Sequence, residues 1–309
     1  MSLVAAGRAF GARLTPNLRG ALWMLASAVL FTAMTTLIKY LGAGYPAALQ
    51  TFYRQLAGVI ILLPLVARDW RGALRTNRPG ILIFRSSAGV LAMILAFYAY
   101  QELPLADANA LSFTRTLWLV PLAALVLREP LGPMRIGAAL VGFVGVLIML
   151  KPSGHGALGL GLPQLAALAS AALFALTITG MKVMTRDHSP FTLLVYAAGL
   201  GLVFSIPPAL FVWRWPTLPD LGLLALMGVI GTLTQGCYIK GMEAGEAAVM
   251  APIDYTRLVF AVIAGSVLFH ETPSRAVLIG AAVVVVSTLF ISLREHQLSR
   301  RKTLADQPA

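Results

Sequence analysis

The sequence predicts an all-α integral membrane protein, with ten transmembrane helices arranged as two inverted five-helix repeats. Three observations predict it. The 309 residues are 58% hydrophobic and only 12% charged, whereas a soluble domain carries about 25% charged residues. Apolar runs of bilayer-crossing length, roughly 20 residues each, follow one another with short connections. Segments of the first half also recur in the second at a nearly constant offset.

The ten runs fall at approximately 20–39, 46–66, 79–99, 106–127, 134–151, 160–181, 190–212, 219–239, 247–269 and 275–293. Their flanking charges alternate. The N-terminal segment, the Arg68–Arg78 connection, Arg128 and Arg135, Lys182 and Arg186, Lys240 and the Arg294–Lys302 tail share one side. That side holds sixteen of the 24 Lys and Arg, against Lys39, Lys151, Arg214 and Arg275 on the other. Cytoplasmic connections carry the basic excess, so both termini are expected in the cytoplasm. Arg8, Arg13 and Arg19 lead into a run of full spanning length without a small-residue cleavage site, so no cleavable signal is expected. The resulting organisation is a cytoplasmic segment 1–17, a first repeat 18–152, a second repeat 160–293 and a cytoplasmic tail 294–309.

The formal net charge of +12 does not point to nucleic acid, because the basic residues punctuate the apolar runs instead of clustering on one segment. The single cysteine, Cys237, excludes an intramolecular disulfide and a Cys-based metal site; it reads as a small apolar residue buried in a span. His155, His188, His270 and His296 all lie at or outside run ends. No mid-membrane histidine is placed to activate a nucleophile or bind a metal. Neither enzymatic catalysis nor a cofactor is expected.

The duplication is legible in four places. LASAVLFTAMTTLIK from Leu25 recurs as LASAALFALTITGMK from Leu168, and IGAALVGFVGVLI from Ile136 recurs as IGAAVVVVSTLFI from Ile279. Leu63–Pro64 answers Pro207–Pro208. Arg115 and Glu129 match Arg257 and Glu271. Five spans per half is an odd number, so the second copy enters the bilayer from the opposite side. Inverted repeats are the architecture of secondary transporters, in which two similar halves exchange conformations around a central site.

The duplicated unit, with thirteen residues between its Arg and Glu and an IGAA motif after them, resembles the EamA-type repeat of the drug/metabolite transporter superfamily. The resemblance covers residues 18–293. Within the superfamily the ten-span layout is similar to the YddG-type aromatic amino-acid exporters. The resemblance implies a basket of spans 1, 3, 4, 6, 8 and 9 around a central cavity, supported by spans 5 and 10. Small multidrug relatives use a glutamate in their first span for proton coupling, and this chain has none in span 1 or span 6.

Polar groups within spans must face a cavity or another helix, since an arginine at a bilayer centre costs roughly 2.5–3.5 kcal/mol even on a lenient scale. Ser112, Arg115 and Trp118 stand three apart, on one face of span 4, flanked by Asn109 and Thr116. Asp254 and Arg257 are at helical spacing in span 9 with Tyr255 beside them; they either pair with each other or face a substrate. Span 8 adds Gln235 and Tyr238, and span 3 adds Tyr98. All of these but Thr116, ten residues, are the candidate substrate-binding residues: guanidinium for a carboxylate, aromatic rings for an apolar body. Glu129 and Glu271 read as terminal anchors or ion pairs with Arg135 or Arg275. Arg54 and Arg85 read as structural, snorkelling toward an interface. Pro121 and Pro252 interrupt helical hydrogen bonding in spans 4 and 9.

The function expected is that of an inner-membrane secondary transporter exporting aromatic or neutral amino acids, or similar amphiphilic metabolites, by alternating access. Four intramembrane arginines keep a phosphate-ester or other anionic substrate open, and multidrug transport is a further branch. A passive channel is the reading from another class. The partners expected are a small molecule and the bilayer, with the protein a monomer.

Overall fold

The structure is a computed structural model that describes residues 15–68, 76, 78–127, 133–150, 161–184, 190–245, 250 and 253–305. Eleven helices and no strand occur among them: α1 (Pro16–Gly42), α2 (Ala47–Arg68), α3 (Pro79–Glu102), α4 (Leu105–Ser112), α5 (Arg115–Leu127), α6 (Pro133–Met149), α7 (Leu162–Met184), α8 (Pro190–Phe211), α9 (Leu218–Ala244), α10 (Thr256–Phe269) and α11 (Arg275–Ala305). Proline opens α1, α3, α6 and α8, where its missing N–H and fixed φ carry no penalty. Thr15 and Thr217 cap α1 and α9 by accepting the amide protons of Leu18 and Asp220.

Among the described residues, six helical runs are long and apolar enough to cross a membrane, and three apolar helices are shorter. One departure from the expected spans has a local cause. Span 4 is not one helix: it divides at Phe113–Thr114 into α4 and α5. The described part of span 9 is α10 and the turn before it, while Pro252 lies outside the described residues. So do Glu129, Arg128, Lys151 and the first fourteen residues. The tail after Leu293 continues α11 as helix to Ala305.

Exposed apolar side chains such as Leu140, Val144 and Leu147 on α6, and Val229 and Leu233 on α9, recur at helical spacing. An apolar exterior of this kind is what a bilayer solvates.

Helix pairing crosses between the halves. The main pairs are α1 with α9, α3 with α7, α2 with α8 and α6 with α11. Exchanging the two halves span for span turns the α1–α9 pair into α7–α3 and leaves α2–α8 and α6–α11 unchanged. The pairing map is therefore symmetric under that exchange.

Hydrogen bonds repeat the same symmetry. Ser27 Oγ of the first LASA motif donates to the Thr234 carbonyl at 3.0 Å, and Ser170 Oγ of the second donates to the Ala92 carbonyl at 2.7 Å. Ser170 stands 143 residues after Ser27, and Thr234 stands 142 after Ala92. The repeated sequence thus makes the same interhelical bond twice.

Small residues allow the close approaches. A Cβ on Gly145 of α6 would lie 2.8 Å from the Gly280 carbonyl oxygen of α11, and one on Gly280 would lie 2.5 Å from that of Gly145. Outside the spans, Tyr45 in the α1–α2 turn donates its phenolic proton to Asp220 at 2.8 Å. That carboxylate holds the Tyr45 hydroxyl above its ordinary pKa.

Candidate functional site

The site grows from two helix breaks at equivalent positions of the repeats. Before Arg115, hydroxyl and amide side chains bind backbone carbonyls of their own helix. Asn109 Nδ2 donates to Leu105 O at 2.9 Å, Ser112 Oγ to Asn109 O at 2.7 Å and Thr114 Oγ1 to Leu111 O at 2.7 Å. These bonds compete with the helical ladder, which tightens to three-residue spacing through Thr116 N to Phe113 O and Leu117 N to Thr114 O. Before Arg257, Thr256 Oγ1 donates to Ile253 O at 2.7 Å and Leu258 N to Tyr255 O at 3.0 Å. Thr256 and Ile253 are the repeat partners of Thr114 and Leu111.

The breaks meet. Phe113 and its repeat partner Tyr255 contact each other, with ring centroids 4.8 Å apart at 70°. The two breaks, at equivalent positions of the repeated sequence, therefore lie against each other. Arg115 opens α5 and Arg257 lies in the first turn of α10. Helix N-termini carry partial positive charge, and the two arginines add to it.

Asp254 supplies the counter-charge. Its carboxylate accepts from Arg257 Nη2 at 2.7 Å, while Arg257 Nε donates to the Asp254 carbonyl at 3.2 Å. The guanidinium is enclosed by two rings, Phe31 of α1 at 4.7 Å and Phe113 at 5.2 Å, and Arg257 is only 8% exposed. Of the two alternatives for this pair, mutual pairing is what this state shows. Tyr100 packs edge-on against Phe31 at 6.2 Å, with its hydroxyl buried and turned toward Ser112.

The sequence-predicted residues divide accordingly. Arg115, Tyr238, Asp254, Tyr255 and Arg257 share one electrostatic neighbourhood, and Ser112 lies beside Tyr100, which also feels the Arg115 charge. Asn109 is buried and bonds its own helix, with Oδ1 unpartnered. Tyr98 packs into the apolar core. The Trp118 ring stands edge-on to Phe143 of α6 at 5.1 Å. Gln235 is exposed, while its neighbour Thr234 takes the buried contact with Ser27.

Two further expectations are corrected. Glu271 pairs with Lys39 of α1, not with Arg275. His270 adopts φ 55°, and Glu271 N then bonds Gly265 O at 3.0 Å, a left-handed stop that turns the carboxylate back across the helix end. There it also accepts the Leu105 amide at 2.8 Å, capping α4. Lys39 Nζ donates to Leu103 O and lies 5.5 Å from the Phe269 ring centroid. This clasp ties α1, the α3–α4 turn and α10 together at one end of the bundle, beside a cavity of about 420 Å³ that shares Lys39 and Phe269. No local pattern betrays it, since its partners are 232 residues apart.

The second correction is Arg54, which does not snorkel. It points inward among Met34, Met93 and Gly231. Arg85 remains structural, donating Nε to the Thr177 carbonyl of α7 at 3.3 Å.

Comparison with known proteins gives three results. The model of the EamA-like transporter family matches residues 18–151 and 162–293. The S-adenosylmethionine uptake transporter of Rickettsia bellii is 32% identical over 91% of this chain and 95% of that protein. The riboflavin transporter of Vibrio cholerae is 30% identical over 92% and 96%, and the pseudopaline exporter of Pseudomonas aeruginosa 26% over 88% and 95%. One crystal structure matches with a TM-score of 0.61 at 19% identity over 90% of this chain and 97% of its own, a likeness of fold.

Proposed function

Because the chain belongs to the EamA-like transporter family, we propose that it is a secondary transporter of a small metabolite bearing an amino-acid head group. The observation that carries this reading is the Asp254 carboxylate, paired with an Arg257 guanidinium that two rings enclose, where the helix breaks meet. A zwitterion matches that arrangement. Its ammonium group takes Asp254, and its carboxylate takes Arg115 through two parallel hydrogen bonds, assisted by the N-terminal dipoles of α5 and α10. Phe31, Phe113, Tyr100 and Tyr255 receive an apolar or cationic body.

Discontinuous helices near the midplane are the usual substrate site of inverted-repeat transporters, and the ten-span inverted layout supplies the two access states. The Lys39–Glu271 clasp closes one end in this state. Among the relatives' substrates, S-adenosylmethionine combines an amino-acid head, a sulfonium and an aromatic base, so it is the first candidate; aromatic amino acids come second. The relatives' names include both uptake and export.

Counterflow in proteoliposomes preloaded with unlabelled compound tests this. Labelled S-adenosylmethionine or phenylalanine should accumulate transiently and saturably. Counterflow of riboflavin alone, which has no amino-acid head, would overturn the zwitterion reading. Flux without saturation would identify a channel.

A further inference from the structure

Arg54 lies seven residues into α2 from Ala47, roughly 10 Å along the helix at 1.5 Å per residue. It has no carboxylate contact among the described residues. Its bonds are weak: Nη1 to Gln55 Oε1 at 3.4 Å, on the adjacent residue, and to Met93 Sδ at 3.5 Å. Its Nε is enclosed and has no hydrogen-bond partner among the described residues.

The surroundings hold this side chain in place. Gly231 of α9 leaves room for the guanidinium: a Cβ there would lie 3.0 Å from Arg54 Nε and 3.0 Å from Met34 Sδ. One turn earlier, Gly228 opposes the Arg54 backbone, with a Cβ position 3.5 Å from its Cα. Met34 is one helical turn from Phe31, and Met93 is two turns from Tyr100. Residues three and seven apart share a helix face, so Arg54 reaches the faces of α1 and α3 that also carry the ring cluster. Arg85 makes the contrast, because its Nε is satisfied by a carbonyl on another helix.

A buried cation without a counter-ion is destabilising by itself. An incoming oxyanion removes the penalty and gains charge-assisted hydrogen bonds. Gln55 beside it and the flexible thioethers of Met34 and Met93 suit ligands of varied shape.

We infer that Arg54 is a second anion-binding residue of the transport path, holding a carboxylate or phosphate of the substrate beyond the head group held at Arg115 and Asp254. The inference rests on reading the space between the helix breaks as that path. It places zwitterions that carry an additional oxyanion ahead of S-adenosylmethionine and phenylalanine, whose single carboxylate is taken by Arg115 and would meet Arg54 only in passing.

The test is phenylglyoxal labelling of the full chain in lipid nanodiscs, mapped by mass spectrometry, with glutarate, inorganic phosphate or neutral glutaramide present. Arg54 should label in the folded protein. Glutarate or phosphate should slow it at least fivefold, and which of them does so tells carboxylate from phosphate. Glutaramide should have no effect. Gly231→Ala, which leaves Arg54 in the chain but crowds its Nε, should reduce the oxyanion protection. An Arg54 that stays unlabelled in the folded protein, or that labels at one rate with or without both oxyanions, would overturn the inference. These rates do not depend on S-adenosylmethionine counterflow, so failure of the substrate assignment and failure of the Arg54 site are told apart.

Discussion

Removing the carboxylate of Asp254 strands Arg257. The pair is 2.7 Å apart with side chains only 9% and 17% exposed, and Asp254 is the only ion-pair partner of Arg257 among the described residues. Breaking a buried pair by deleting one partner costs about 3–5 kcal/mol, because the remaining charge stays desolvated. Asp254→Leu should therefore destabilise by roughly that amount. Arg257→Met should cost a similar amount and also lose its stacking on Phe31 and Phe113, each contact worth about 0.5–2 kcal/mol. The double variant leaves no orphan charge, so its loss should fall below the sum of the single losses by 2 kcal/mol or more, roughly the upper part of the range seen for interacting residues. Denaturant unfolding in mixed micelles measures all three. Single losses below about 1 kcal/mol that simply add would refute the view that the two charges are buried and mutually dependent.

Other consequences follow from the packing. Lys39→Met opens the clasp; a loss of 1–2 kcal/mol is a factor of about 5–30 in a two-state equilibrium, read as faster maleimide labelling of a Ser112→Cys reporter in a Cys237→Ala background. Unchanged labelling would show that the clasp does not control access. Ser27→Ala and Ser170→Ala remove equivalent interhelical bonds and should each cost about 0.6 kcal/mol, equal within error; a large inequality in thermal stability would contradict the pseudo-symmetry of the pairing. Gly280→Leu drives a side chain into the Gly145 backbone and should prevent α6 and α11 from docking, seen as loss of the monodisperse folded peak in size-exclusion chromatography.

Much of this architecture was legible in the sequence because the bilayer leaves few options for an apolar run of 20 residues. The repeated LASA serines reappear as equivalent contacts, whereas the IGAA glycines differ: Gly280 packs on the Gly145 backbone and Gly137 faces open space. The helix breaks were harder to read. Pro121 drew attention to span 4, but the break lies at Phe113–Thr114, where Asn109, Ser112 and Thr114 turn their side chains onto backbone carbonyls. A run of such residues before an arginine, present twice, was the available signal. The rings around Arg257 were also hidden, since Phe31 and Phe113 look like ordinary span residues until the fold places them over a guanidinium. Arg54 and Arg85 are indistinguishable by sequence. A glycine on α9 and a carbonyl on α7 decide their different environments.

The most direct test of the site is S-adenosylmethionine counterflow through wild-type protein, Arg115→Gln and Ser170→Ala in parallel proteoliposomes. A head-group carboxylate held at Arg115 predicts saturable exchange in wild type and Ser170→Ala, with Arg115→Gln raising KM at least tenfold. Equal KM for wild type and Arg115→Gln would contradict a substrate site at the helix breaks.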